Sequence, residues 1–148
     1  MIIELDDLDK KLLNALQRDS RQSFNALSKL TGASTPTVVD RVRRLEDQGV
    51  IQGYSVTIDR KKLGWELTSI IRVVCPQDQY QKVHRLAQDM VEILECHHVT
   101  GEDSFFIKVI ARDIVHLESV ISRFSGLGRS ISTIVLSSAV EGKSIKIR

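Results

Sequence analysis

The chain has 148 residues, of which 42% are hydrophobic and 27% charged, with a formal net charge of +2. That balance excludes an intrinsically disordered chain. The acidic opening MIIELDDLDKK does not read as a signal peptide, and no apolar run approaches the roughly 20 residues of a membrane-spanning helix. Two cysteines, Cys75 and Cys96, are too few for a disulfide scaffold, so a cytoplasmic location and buried, inert thiols are expected.

The length suits one ordinary domain or two small ones. Charge is unevenly spread: nine Lys/Arg face five Asp/Glu between Arg18 and Lys62, whereas residues 65–148 hold ten of each. A basic first part followed by a neutral second part hints at an anionic partner for the first alone.

In chain order, Leu5, Leu8, Leu12 and Leu16 recur at the spacing of one helix face, with Asp6 or Asp7 as cap and Asp19-Ser20 as stop. Ser23 caps a short second helix carrying Phe24, Leu27 and Leu30, which Gly32 ends. Ser34 or Thr35 caps a third helix with Pro36 in its first turn, where proline is welcome. Helix, helix, glycine turn and helix within some fifty residues outline a helix-turn-helix unit.

After Gly49 the alternating VIQGYSVTID predicts one or two strands, a wing on that unit. RKKLGW reads as a connector, with Tyr54 and Trp65 expected to pack the two domains together. Beyond it come a strand (TSIIRVVC) and a helix with Val83, Leu86, Ala87 and Met90 on one face. Two strands joined by GED follow, then a helix with Ile114, Leu117, Val120, Ile121 and Phe124 inward, and a closing strand (SISTIVLSSAV). The order βαββαβ is the split, ferredoxin-like arrangement, with both helices on one face of an antiparallel sheet. IIRVV and TIVL make the other face too apolar for water, so it should bury against another subunit. The expected division is residues 1–52 as the DNA-binding domain, 53–65 as strand and linker, and 66–148 as the βαββαβ domain.

On a helical wheel, Val38, Val42 and Leu45 of the third helix fall within about 60° of one another and define its buried stripe. Thr37, Arg41, Arg44 and Gln48 form a second stripe without a carboxylate, while Arg43 lies among Asp40 and Asp47, where ion pairs are expected. Such a stripe reaches phosphates and base edges without repelling the DNA backbone. Entry into the major groove N-terminus first brings Ser34, Thr35, Thr37 and Arg41 nearest the bases, with Arg44 mainly on phosphate. The DNA-binding set read from this helix is Ser34, Thr35, Thr37, Val38, Arg41, Arg44 and Gln48.

LDDLDKKLLNALQRDSR and TVVDRVRRLEDQGVIQGY resemble the N-terminal domain of the Lrp/AsnC (feast/famine) transcription regulators. HVTGEDSFFIKVIARD and STIVLSS resemble the same family's ligand-sensing domain, so the likeness spans almost the whole chain. The resemblance implies double-stranded DNA as partner, homodimers formed through the C-terminal sheets and often assembled into octamers, and control by small molecules, usually amino acids. It also implies an effector pocket at the loop Thr100, Gly101, Glu102, Asp103 and Ser104. Many members carry Asp where Ser104 stands here. A glycine turn that exposes backbone N–H groups beside acidic side chains suits an amino acid's two charged ends.

ECHHV places Cys96 and His98 on one face of a strand and His97 on the other, too few ligands for a closed metal site even with Cys75 nearby in composition. The same divergence argues against a Cys–His nucleophile pair, and neither a phosphate-cradling glycine loop nor GxSxG occurs, so no enzyme, metal or cofactor is expected. The competing reading is a stand-alone small-molecule sensor whose helix-turn-helix no longer binds DNA.

Overall fold

The computed structural model describes residues 2–147. The chain divides into two compact units, Met1–Thr57 with Val140–Arg148, and Ile58–Ala139. The expected division kept residues 140–148 with the second domain, but the last segment returns to the first unit. Gln17 accounts for this: its Nε2 donates to the Ile145 carbonyl and its Oε1 accepts from the Ile145 N–H, each at 3.1 Å. A side-chain amide carries the donor and acceptor of a peptide group and so captures an extended segment.

In the first unit, α1 (Asp7–Arg18), α2 (Phe24–Thr31) and α3 (Thr35–Asp47) follow the expected caps. Ser23 and Ser34 accept from Ala26 N–H and Thr37 N–H, and Gly32 ends α2 at φ +77°, a left-handed conformation that glycine adopts without strain. Leu12, Ala15, Leu27, Val38 and Val42 form the core, flanked by Leu8, Leu16 and Ile51. On α2 only Leu27 is buried; Phe24 and Leu30 stay exposed. Steps of three residues fall about 60° short of a full turn, so on a helix of eight residues the outer two swing off the core face.

Residues 50–59 form no strand, contrary to the expected wing. Alternation alone does not make a strand; a neighbour must take the backbone N–H and C=O groups. No strand of the chain pairs there among the described residues, and Val56 and Ile58 remain exposed.

The second unit runs β1 (Leu67–Val74), α4 (Tyr80–Asp89), β2 (Ile93–His98), β3 (Phe105–Ala111), α5 (Ile114–Ser122) and β4 (Arg129–Ile134). The strands form one antiparallel sheet in the order β2-β3-β1-β4, the predicted βαββαβ arrangement. Ile71, Val73, Phe105, Ile107 and Val109 pack against Val83 of α4 and against Leu117, Val120 and Phe124. Ile114, expected inward, is exposed at the first position of α5, beyond the reach of this core. The opposite sheet face carries no helix: Phe106 and Ile131 both lie opposite Arg72 across the ladder and are 37% and 38% exposed. Among the described residues no helix is long and apolar enough to cross a membrane.

Candidate nucleic-acid interface and ligand loop

The start of α1 is a capping box of two aspartates. Asp6 Oδ1 accepts from Asp9 N–H at 2.9 Å, and Asp9 Oδ2 accepts from Asp6 N–H at 3.2 Å. Both carboxylates also reach α3. Arg41 Nη1 donates to Asp6 Oδ2 and, at 3.2 Å, to Asp9 Oδ1; Arg44 Nη2 donates to Asp9 Oδ2 at 2.5 Å. Asp9 is fully buried. The Asp9 N–H and the Arg41 guanidinium push the Asp6 carboxyl down to about 2, and the hydrogen bonds that Arg41 donates to Asp6 and then to Asp9 raise Arg41 in turn.

The stripe that is free of carboxylates on α3 is therefore faced by two carboxylates of α1. A wheel of one helix shows nothing of its neighbour. The structure also redistributes the other members of the set. Val38 is fully buried in the core and offers no side chain to DNA, a correction that its place on the buried stripe already contained. Ser34 caps α3 and shares a 2.7 Å hydroxyl contact with Thr37, while Thr35 Oγ1 donates to Asn25 Oδ1 of α2 at 3.0 Å. Thr37 and Gln48 are exposed, and no acidic residue lies in the first turn of α3. Arg43 is exposed and, among the described residues, pairs with neither Asp40 nor Asp47, contrary to expectation. Exposed ion pairs gain little against the entropy of two long side chains, which is reason enough for it to stay free.

In the second unit the loop residues separate into two groups. Thr100, Gly101 and Glu102 are exposed, with Gly101 at φ +111°. Asp103 pairs with Arg72 Nη1 at 3.4 Å. Ser104 is buried: its N–H donates to Val73 O at 2.8 Å, and its Oγ accepts from Cys75 N–H and donates to Cys75 O, each at 3.2 Å. That hydroxyl ties the loop to the end of β1. Burial pushes the thiols of both Cys75 and Cys96 up, which disfavours the thiolate. Glu95 pairs with His97 and Lys108, and His98 packs against Tyr80 and Phe105; no group of three metal-ligating side chains occurs among the described residues. Tyr54 and Trp65, expected to join the domains, are each engaged inside their own unit. Tyr54 Oη donates to Glu46 at 2.7 Å, and burial followed by that carboxylate raises its pKa to about 12. Trp65 lies against Arg112 and His116.

Sequence reasoning named Asp6 as a cap but missed its reach to α3, and it missed Asp9 and Gln17 altogether. The two aspartates did leave a signal: two carboxylates three residues apart on α1 match two arginines three residues apart on α3. Gln17 left none.

A helix-turn-helix unit on a βαββαβ unit is the build of a transcription regulator that couples a DNA-binding part to a ligand-binding part. Residues 5–46 match the AsnC-type helix-turn-helix domain, and residues 68–145 match the Lrp/AsnC ligand binding domain. The chain belongs to the Lrp/AsnC family of HTH-type transcriptional regulators, a family of regulators and not of enzymes. The HTH-type regulator YezC of Bacillus subtilis is 35% identical over 91% of this chain and 96% of its own. The regulatory protein AsnC of Haemophilus influenzae is 33% identical over 80% and 79%. A feast or famine regulatory protein from M. tuberculosis, solved in complex with L-methionine, superposes with a TM-score of 0.85 at 29% identity, covering 97% of this chain and all of its own.

Proposed function

We propose that the protein binds double-stranded DNA through α3 as a homodimer in the cytoplasm, and that an amino acid or related small molecule bound near Thr100–Ser104 modulates this binding. One observation carries the DNA reading: α3 begins with a turn free of acidic residues, bearing Ser34, Thr35 and Thr37 on a glycine-turn helix pair. Taking Val38, Val42 and Leu45 as inward, Arg43 and Arg44 lie roughly 130° away on opposite sides, so they straddle the outward face and suit the phosphates of both groove walls. Arg41 and Gln48 flank the same face from the α1 side. Asp40 lies between the two arginines, where a carboxylate is accommodated by a base-edge amino group such as cytosine N4.

On the ligand side, Gly101 gives the loop an exposed turn, and Asp103 is a carboxylate already held by Arg72. The complex of the M. tuberculosis relative with L-methionine supports an amino-acid effector. The uncovered sheet face with Phe106 and Ile131 supports a dimer, which higher assembly to an octamer would build on. Fluorescence anisotropy with genomic duplexes, including the gene's own upstream region, tests the DNA reading across a salt series. Saturable binding that weakens with salt is expected; no binding to any duplex refutes it and leaves the stand-alone sensor. A calorimetric screen of the twenty amino acids tests the effector.

A further inference from the structure

Two arginines three residues apart on α3 meet two aspartates three residues apart at the start of α1. The inner carboxylate, Asp9, has no exposed surface, and both of its oxygens are filled: Oδ1 by Arg41, and Oδ2 by Arg44 and by Asp6 N–H. Pulling the arginines away would leave an uncompensated charge in the interior, so DNA does not compete successfully for both of them. Each guanidinium engages these carboxylates through a single nitrogen, leaving the rest of its five N–H donors, and the Arg44 side chain is 43% exposed.

We propose that Asp9, assisted by Asp6, is a positioning residue of the DNA-binding face, holding Arg41 and Arg44 in one stance as preoriented donors. The inference rests on the reading of α3 as the DNA-contacting helix. Fixing a guanidinium before binding removes the ordering cost that a free side chain bears on contact. It also neutralises most of the charge the two arginines would offer. They then contribute fixed geometry, and so the register on which base readout depends, more than counterion release.

The test uses the full-length protein and the tightest genomic duplex found for the wild type, beside a scrambled duplex of equal length. Anisotropy titrations run over a salt series of about 50 to 200 mM. Asp9→Asn removes, at nearly constant shape, the one anion that Arg44 meets among the described residues and one of the two that Arg41 meets. Its preference for the genomic duplex over the scrambled one should fall about tenfold, and its plot of log K against log salt should steepen by roughly one. The scrambled duplex should be held at least as tightly as by the wild type. A purely structural role would instead weaken both duplexes in parallel and leave the slope alone, and that result overturns the proposal. Unchanged discrimination and slope overturn it equally.

If circular dichroism shows that Asp9→Asn does not fold, Asp6→Asn replaces it. Asparagine caps a helix as well as aspartate does, and Asp6 is half exposed, so the fold persists while Arg41 loses one of its two anions. The slope and preference must then move in the same directions, to a smaller extent; no movement overturns the proposal. A wild type that binds no duplex overturns the DNA reading itself, and this inference with it.

Discussion

Ser104 decides whether the GEDS loop is read as a ligand site throughout or as a ligand site anchored by a structural residue. Replacing it with alanine removes the Oγ that accepts from Cys75 N–H and donates to Cys75 O, in a place where both residues are 8% exposed. No water replaces the lost partner at such exposure, so the Cys75 N–H stays unpaired. A buried donor left unsatisfied costs about 1–3 kcal/mol, which places the expected loss near 2 kcal/mol. For a chain of this length that corresponds to a melting temperature lower by about 4–8 °C. Calorimetric melts of Ser104→Ala against the wild type, with the exposed Thr100→Ala as control, measure it; the control should stay within about 0.5 kcal/mol. The Ser104 variant should keep its response to whichever amino acid the wild type binds, once folded. A variant that melts like the wild type but no longer binds that amino acid would refute the reasoning, because the hydroxyl would then belong to the ligand.

Gly128→Ala should be more damaging than its modest exchange suggests: the new Cβ would lie 2.2 Å from Val74 O and 2.7 Å from Cys75 Cβ, so backbone must move, at a cost of about 1–3 kcal/mol in urea unfolding. Phe106→Glu should leave the unit folded, since Phe106 faces away from the helices, yet raise the dimer dissociation constant on the order of a hundredfold in sedimentation equilibrium; dimers of undiminished strength would move the interface elsewhere. Acid should weaken the capping box in a defined window. The Asp6 carboxyl is held at about 2 in the fold against an ordinary 3.8, so its stabilising contribution is present above pH 4 and disappears as the pH falls through 2. The melting-temperature gap between wild type and Asp6→Asn should therefore close over that interval, and a gap independent of pH would remove the ionised pair as its source.

Much of this fold is local and so was legible in the sequence. Ser23, Gly32, Ser34 and Pro36 act on their own turns, and they set the boundaries of α2 and α3 without reference to anything distant. The β-period of IIRVV and FFIKVI and the helical period between them sufficed for βαββαβ, because each period names the face that must be buried. Where the reading departed from the structure, a second element was involved. The alternating residues 50–59 lack a partner strand, and Phe24 and Leu30 lie on a helix too short to turn both inward.

The candidate site divides along the same line. The sequence by itself determined that α3 exists, where it starts, that its first turn carries hydroxyls and no acid, and that a glycine turn leads β2 into β3. Tertiary structure alone decided which charges are free. Asp6 and Asp9, more than thirty residues from Arg41 and Arg44, hold the two arginines that a single wheel left unopposed, and Arg43 is the one left without an ion pair among the described residues. It likewise decided that Ser104 bonds to Cys75 across the sheet and that Gln17 holds a segment 128 residues away. The physical reason is range: capping, turn and period energies act within a few residues, whereas a charge or hydroxyl is satisfied by whatever the folded chain brings within about 3 Å of it.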